Sequence, residues 1–172
     1  TLKLKDMPRV IFDTLALSSL SLFALATASA LGELLSYYQL GALAESFFTE
    51  NVDSRWIFLL LIIGFFLLIG TFMDAIPAMI LFVPIILPTA ETFNIDPVHL
   101  GLIVVITLAI GLATPPYGLC LLIASKIGNL SAEKSFIAVI PFLLIILIVL
   151  LIVAFVPGII EFLPNLFNEG AE

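Results

Sequence analysis

The chain has 172 residues, of which 62% are hydrophobic and 11% are charged, and its formal net charge is −7. This composition is far more apolar than that of soluble proteins and predicts an integral membrane protein with room for several spans of roughly 20 residues. Six basic residues argue against nucleic-acid binding, and the single Cys120 excludes a disulfide framework or a cysteine metal cluster.

The first predicted span runs from about Val10 to Tyr38 and is rich in Ser, Ala, Thr and Gly. Small residues let helices approach closely in lipid, so we expect this span to pack inside a helix bundle. Glu45, Glu50 and Asp53 then predict an aqueous loop. We therefore assign residues 1–55 to a transmembrane helix followed by an outer loop.

The second predicted segment, residues 56–90, is too long for one straight span and too short for two spans with a loop. Its first arm, Trp56 to Ile69, would extend roughly 21 Å as a helix, less than the hydrocarbon core of about 30 Å. The residues that interrupt the segment are Gly70, Pro77, Pro84 and Pro88. We interpret the segment as a re-entrant helical hairpin with its tip near 70–77.

Asp74 is the one charged residue between Trp56 and Ala90. A carboxylate at membrane depth is costly unless it is paired or solvated. Non-helical backbone at that depth is tolerated only when it is buried in protein or lines a wet cavity. Asp74 beside broken helix therefore indicates a cation site or a substrate gate.

The third predicted segment, residues 91–130, begins with Asp96 as a helix N-cap and Pro97 in the first position. It runs to about Lys126, and it is interrupted between Gly111 and Gly118, where two prolines lie between glycines. Proline and glycine in this arrangement end one half-helix and begin another. We therefore expect a broken transmembrane helix.

The fourth segment, residues 131–172, holds a nearly pure aliphatic span from about Ser135 to Val156 and an acidic tail.

The positions of the basic residues test the predicted membrane topology, because basic residues favour the cytoplasmic side. A re-entrant hairpin puts five of the six on that side, with the N-terminal end cytoplasmic and the C-terminus periplasmic. The five are Lys3, Lys5, Arg9, Lys126 and Lys134, and the exception is Arg55.

The two helix breaks together predict a binding site for ions and substrate. Broken helices offer free carbonyls and half-helix ends at the midplane; carbonyl and hydroxyl oxygens suit Na⁺, and half-helix N-termini favour anions. Asp74 could balance the cation charge directly or from farther away, and Asp74, Thr114 and Pro116 are the candidate substrate-binding residues. The candidate sodium ligands are Gly70, Thr71, Asp74, Gly111, Ala113, Thr114 and Pro115.

Other polar residues have simpler interpretations. Glu33 fits an interfacial acid, His99 a solvated or packed residue near the surface, and Cys120 a small buried residue. Each break alone could merely shape packing. Two functions of another class stay open, an ion-conducting channel and a structural membrane subunit in which Asp74 pairs with a partner chain. The apolar segments hold no Ser/His or paired-Asp arrangement, so we do not expect an enzyme.

Three motifs, taken in order, carry a family resemblance. They are Gly70-Thr71-Phe72-Met73-Asp74 followed by Pro84-Ile85-Ile86-Leu87-Pro88, then Asn94-Ile95-Asp96-Pro97-Val98-His99-Leu100-Gly101, then Gly111-Leu112-Ala113-Thr114-Pro115-Pro116-Tyr117-Gly118. In order and spacing they resemble the C-terminal part of the large permease subunit of tripartite ATP-independent periplasmic (TRAP) transporters. Since the chain begins at Thr1 and lacks the first repeat of such a subunit, we expect it to belong to a longer polypeptide or to work beside another chain.

The resemblance implies an all-α, elevator-type transporter half in the bacterial inner (cytoplasmic) membrane. It implies sodium-coupled uptake of an organic acid, of the C4-dicarboxylate or sialic acid type. The acid would be delivered by a periplasmic substrate-binding protein, beside a small four-helix membrane subunit and the N-terminal repeat of the large subunit. By this resemblance 70–74 would be the second hairpin tip and 111–115 the second unwound loop, which together hold a sodium ion.

Overall fold

The computed structural model describes residues 7–115, 118–158 and 160, and every regular element within them is an α-helix. In chain order the helices are α1 (Met7–Tyr37), α2 (Leu40–Asn51), α3 (Arg55–Phe72), α4 (Ala75–Thr92), α5 (Pro97–Leu112), α6 (Leu119–Ile127) and α7 (Ala132–Phe155). Among these described helices, α1, α3, α4 and α7 are long and apolar enough to cross a membrane, and α5 is a shorter apolar helix. The prediction of an all-α fold is confirmed for this part of the chain.

The centre of the fold is an antiparallel hairpin of α3 and α4 that turns at Met73 and Asp74. At its open end Phe58 stacks on Phe93, with ring centroids 4.8 Å apart, and farther along Phe65 meets Phe82 edge to face at 5.1 Å. Helix α5 packs against both arms. It begins beside the open end and ends beside the tip, so it runs parallel to α3.

The buried core lies between the hairpin and α5, with contributions from α7. Aromatic and aliphatic side chains fill it, as expected where helices pack tightly. Its fully or almost fully buried large members are Phe58, Leu59, Ile62, Phe66, Ile95, Leu100, Ile103, Val104, Leu108 and Leu150.

Two long helices flank this core. Helix α1 runs along α4 in the same direction, with Gly32 near the Ile80 carbonyl. Helix α7 runs antiparallel to α3, because Phe155 at its C-terminal end stacks on Trp56 at the start of α3, with centroids 5.1 Å apart. Most of the surface of α1 and α7 is exposed and apolar, as in helices that face lipid or further protein.

Two local predictions are confirmed. The Asp96 side chain accepts hydrogen bonds from the backbone N–H groups of Val98 and His99, at 2.8 and 3.3 Å, and Pro97 is the first residue of α5. The predicted interruption is also present, since α5 ends at Leu112 and α6 begins at Leu119.

The loop predicted around Glu45, Glu50 and Asp53 is wrong for the two glutamates, which lie in α2, whereas Asp53 lies between α2 and α3. The acids indicated water, but α2 packs against α4, and its Phe48 meets the edge of Phe58 in α3 with ring centroids 5.2 Å apart. Glu50 is exposed on this helix and Glu45 is half-buried.

The hairpin arms are longer than predicted. Helix α3 continues through Gly70 to Phe72, and α4 contains Pro84 and Pro88 without ending. A proline inside a helix removes one backbone hydrogen bond. Packing of α4 against α1, α2 and α5 outweighs that local cost.

Of the two interpretations of His99, solvated or packed, the structure supports the packed one, because the residue is fully buried. The prediction for Cys120 is wrong. Cys120 is exposed in α6, where an apolar run had predicted burial.

Candidate functional site

Gly70 and Gly111 bring α3 and α5 into direct backbone contact just before each helix ends. A Cβ atom added to Gly111 would lie 2.7 Å from the Gly70 Cα, and one added to Gly70 would lie 3.0 Å from the Leu108 carbonyl oxygen. Both glycines are buried. A larger residue at position 111 would force the two backbones apart, whereas one at position 70 would require its neighbours to shift by a few tenths of an ångström. The contact therefore depends most on Gly111.

The C-terminal ends of α3 and α5 converge as a result. The last backbone bond of α3 runs from the Met73 N–H to the Ile69 carbonyl at 3.0 Å, so the carbonyl groups of Gly70 and Thr71 lie beyond the regular helical bonding. In α5 the Thr114 N–H donates to the Gly111 carbonyl at 2.9 Å, which tightens the last turn. Each helix end carries roughly half a negative charge, and the converging ends would attract a cation.

Thr71 and Thr114 place hydroxyl groups at the same two ends. The Thr71 hydroxyl donates to the Leu68 carbonyl and the Thr114 hydroxyl to the Ile110 carbonyl, both at 2.7 Å. Because each hydroxyl uses its proton in that bond, its oxygen lone pairs can still accept a cation. Thr71 is buried and Thr114 is half-buried.

Asp74 occupies a different side of the hairpin tip. It is exposed and borders two cavities, of about 390 and 400 Å³, whose other walls come from α1 and α4. Thr114 and Pro115 border a separate cavity of about 210 Å³, between α3, α5 and α7. The structure thus brings Gly70 to Gly111, while Asp74 and Thr114 border different cavities.

The unwound loop after α5 is described only in part. Ala113 and Thr114 continue from the last turn of α5, and Pro115 is exposed. Gly118 has a positive φ of 42° and its α-carbon faces the Thr114 carbonyl, so a Cβ there would lie 3.2 Å from that oxygen. Pro116, one of the predicted substrate-binding residues, lies outside the described residues.

Both breaks lie level with the middle of a long helix. Helix α1 has 31 residues centred on Leu22, and the cavity beside Asp74 is lined by Leu20, Ser21 and Leu22. Helix α7 has 24 residues centred between Leu143 and Leu144, and these two residues line the cavity beside Thr114. The tip and the end of α5 are therefore at a comparable level along the helix bundle, as the contact of Gly70 with Gly111 also requires.

Sequence reasoning missed the wall that α1 forms beside Asp74. Ser21 and Thr27 of α1 line the Asp74 cavities, and the small-residue composition of this span was the signal that it packs against another helix.

Among the described residues no three His, Cys, Asp or Glu side chains come together as a metal site. Oxygen donors at the breaks are therefore chiefly carbonyls and hydroxyls.

Comparison with known proteins identifies the arrangement. Residues 1–159 match the family model described as "Tripartite ATP-independent periplasmic transporter, DctM component". The chain is 34% identical over 164 residues to the C4-dicarboxylate TRAP transporter large permease protein DctM of Pseudomonas aeruginosa, covering 95% of this chain and 38% of that protein. It is 30% identical over 167 residues to the sialic acid TRAP transporter large permease protein SiaM of Vibrio cholerae, covering 97% of this chain and 39% of that protein.

A third relative matches over a shorter stretch of the chain. The isethionate TRAP transporter permease protein DctMQ of Oleidesulfovibrio alaskensis is 42% identical over 101 residues, covering 59% of this chain and 16% of that protein. The chain thus spans less than two fifths of the length of each of these three relatives.

Proposed function

This chain belongs to the family of the DctM component of tripartite ATP-independent periplasmic transporters, and on that premise we propose that it forms part of a sodium-coupled permease for organic acids. The family is one of transport components and not of enzymes. The family match and the four long apolar helices together indicate a multi-pass protein of the inner membrane.

The observation that carries the sodium proposal is the backbone contact of Gly70 with Gly111. It joins two negative helix ends at one place, where carbonyl oxygens and two threonine hydroxyls supply hard ligands of the kind that Na⁺ prefers. The proposed ligand set is the tip residues Gly70 and Thr71 with the loop residues Gly111, Ala113, Thr114 and Pro115. Asp74 belongs to the same tip, and its role is treated in the next subsection.

A re-entrant hairpin is supported by the position of its tip in the bundle. The tip lies beside the middle of α1 and not beside either end. If α1 spans the bilayer, the tip and the proposed sodium ion are near the midplane, where coupling ions bind in transporters built from broken helices.

The distribution of positive charge supports an orientation. Arg9, Lys126 and Lys134 lie at the end of the bundle where α1 begins and α6 meets α7, whereas Arg55 lies at the opposite end. The excess of basic residues makes the first end cytoplasmic. The C-terminal end of α7 would then be periplasmic.

An anionic substrate is supported by the helix that follows the unwound loop. Helix α6 begins at Leu119 without a side-chain cap, and its positive end is directed toward the break. The relatives are named for C4-dicarboxylate, sialic acid and isethionate, all of which are anions at neutral pH. We propose that Thr114 and Pro116 border the pocket for such an acid.

Transport would couple the sodium site to the acid pocket. Sodium bound between the tip and the loop would fix their geometry, complete the anion pocket and allow the hairpin with α5 and α6 to move across the membrane as one body. A periplasmic binding protein would deliver the acid, and a small membrane subunit and the N-terminal repeat would complete the transporter.

Reconstitution of the complete transporter tests the proposal. In proteoliposomes with the binding protein present, an inward sodium gradient should drive saturable uptake of an organic acid. Internal unlabelled substrate should exchange with external labelled substrate. Conductance without substrate exchange would instead identify a channel, and activity that persists unchanged without sodium would exclude sodium coupling.

A further inference from the structure

The Asp74 side chain makes a specific backbone contact at the tip. Its Oδ1 accepts a hydrogen bond from the Ala75 N–H at 2.7 Å, and its backbone is extended, with φ −66° and ψ 153°. Asp74 thus occupies the N-cap position of α4, and its side chain accepts from the first residue of the helix, where a usual cap accepts from the second or third. The side chain is thus already engaged with the first turn of α4.

The first turn of α4 needs such a residue. The first four N–H groups of a helix lack partners within the helix. Pro77 has no N–H, and the Ala78 N–H donates to the Asp74 carbonyl at 3.3 Å. The Ala78 bond is the first regular helical bond of α4. Among the unpaired donors that precede it, the Asp74 carboxylate accepts from the Ala75 N–H.

Asp74 also faces away from the proposed ligands. Gly70, Thr71 and Gly111 are buried, whereas Asp74 is exposed and borders cavities walled by α1. The contact that brings the two helix ends together involves only main-chain atoms of α3 and α5. Nothing in that contact depends on the Asp74 charge.

We infer that Asp74 is a positioning residue that holds the hairpin tip in shape by capping α4, and that it does not ligate the cation. This inference rests on the proposed function. It requires an oxygen acceptor at position 74 and no negative charge, because asparagine and serine cap helices about as well as aspartate.

Three variants of the complete transporter separate the two roles. Asp74→Asn and Asp74→Ser keep an acceptor oxygen and lose the charge, whereas Asp74→Ala loses both. We expect Asp74→Ala to raise the sodium concentration for half-maximal uptake about fivefold, which corresponds to the loss of a typical cap. Asp74→Asn and Asp74→Ser should stay within about twofold of the wild type.

Asp96 provides the control, since it caps α5 at the open end of the hairpin through two hydrogen bonds, from the N–H groups of Val98 and His99. Asp96→Ala should lower the melting temperature at least as much as Asp74→Ala and leave the sodium dependence unchanged. If Asp74→Asn and Asp74→Ser, with wild-type melting temperatures, lose sodium dependence as fully as Asp74→Ala, Asp74 acts through its charge and the inference is wrong. If the wild type itself shows no sodium dependence, the proposed function fails instead.

Discussion

Gly111 lies against Gly70 without any side chain between them: a Cβ on Gly111 would come within 2.7 Å of the Gly70 Cα and 2.8 Å of its carbonyl carbon. Main-chain atoms cannot move aside as the end of a flexible side chain can. The spacing of the two helices at this point is therefore set by their backbones. Since α3 ends at Phe72 and α5 at Leu112, the contact also sets the distance between the two helix ends.

Replacing Gly111 with alanine should separate these ends. We expect Gly111→Ala to cost about 1–3 kcal/mol of stability, the usual range for overpacking, and to weaken the stabilisation that sodium provides. Melting temperatures of the purified transporter in sodium and in potassium measure both effects. Gly101→Ala in the same helix is the control, because a Cβ there meets nothing within 4 Å. Equal melting temperatures for the two variants would contradict the contact.

Thr71 tests the hydroxyl contribution to the cation site. Thr71→Val keeps the side-chain shape and removes the oxygen, and we expect the sodium concentration for half-maximal uptake to rise about tenfold or more, as for a lost bond to a charged partner. Thr71→Ser keeps the hydroxyl, so its sodium concentration for half-maximal uptake should be close to that of the wild type.

Thr107→Val is the control for Thr71→Val. Thr107 is fully buried and its hydroxyl donates to the Ile103 carbonyl at 2.6 Å, but it lies within α5, away from its end. We expect its sodium dependence to equal that of the wild type. A similar rise in both variants would mean that a general loss of packing, and not a ligand, explains the effect.

Local signals in the sequence were sufficient for the helix boundaries near the site. Asp96 followed by Pro97 predicts the start of α5, and the two prolines after Thr114 predict its end, because caps and missing N–H groups act within a few residues. Asp74 was singled out by its charge alone. These features require no knowledge of tertiary structure.

The surroundings of Asp74 could not be predicted in the same way. Asp74 and Thr114 were predicted as residues of one substrate site, whereas the cavities beside Asp74 are walled by α1, some fifty residues away along the chain, which the sequence did not indicate. Nor did Pro84 and Pro88 end α4 as expected, since packing against three helices outweighs local propensity. Contacts between distant segments decide both outcomes, and one sequence does not encode them in a readable pattern.

Phe58 should be the most sensitive core position at the open end of the hairpin. It is fully buried, stacks on Phe93 and meets the edge of Phe48 at 5.2 Å. We expect Phe58→Ala to cost about 3–5 kcal/mol, seen as a large fall in melting temperature. Phe142→Ala is the control, because Phe142 is exposed on α7. If both variants melt alike, the core does not lie where α3 meets α2 and the end of α4.

Sidedness of labelling tests the membrane orientation. In a background carrying Cys120→Ser, a cysteine replaces either Asp53, between α2 and α3, or Ser131, just before α7; both positions are exposed. A re-entrant hairpin followed by one crossing through α5 and α6 places them on opposite sides. An impermeant maleimide should therefore label Asp53→Cys from the periplasmic side and Ser131→Cys only in inverted vesicles. If residues 56–90 cross the membrane once, both cysteines react from the same side, and the orientation proposed from Arg9, Lys126 and Lys134 is wrong.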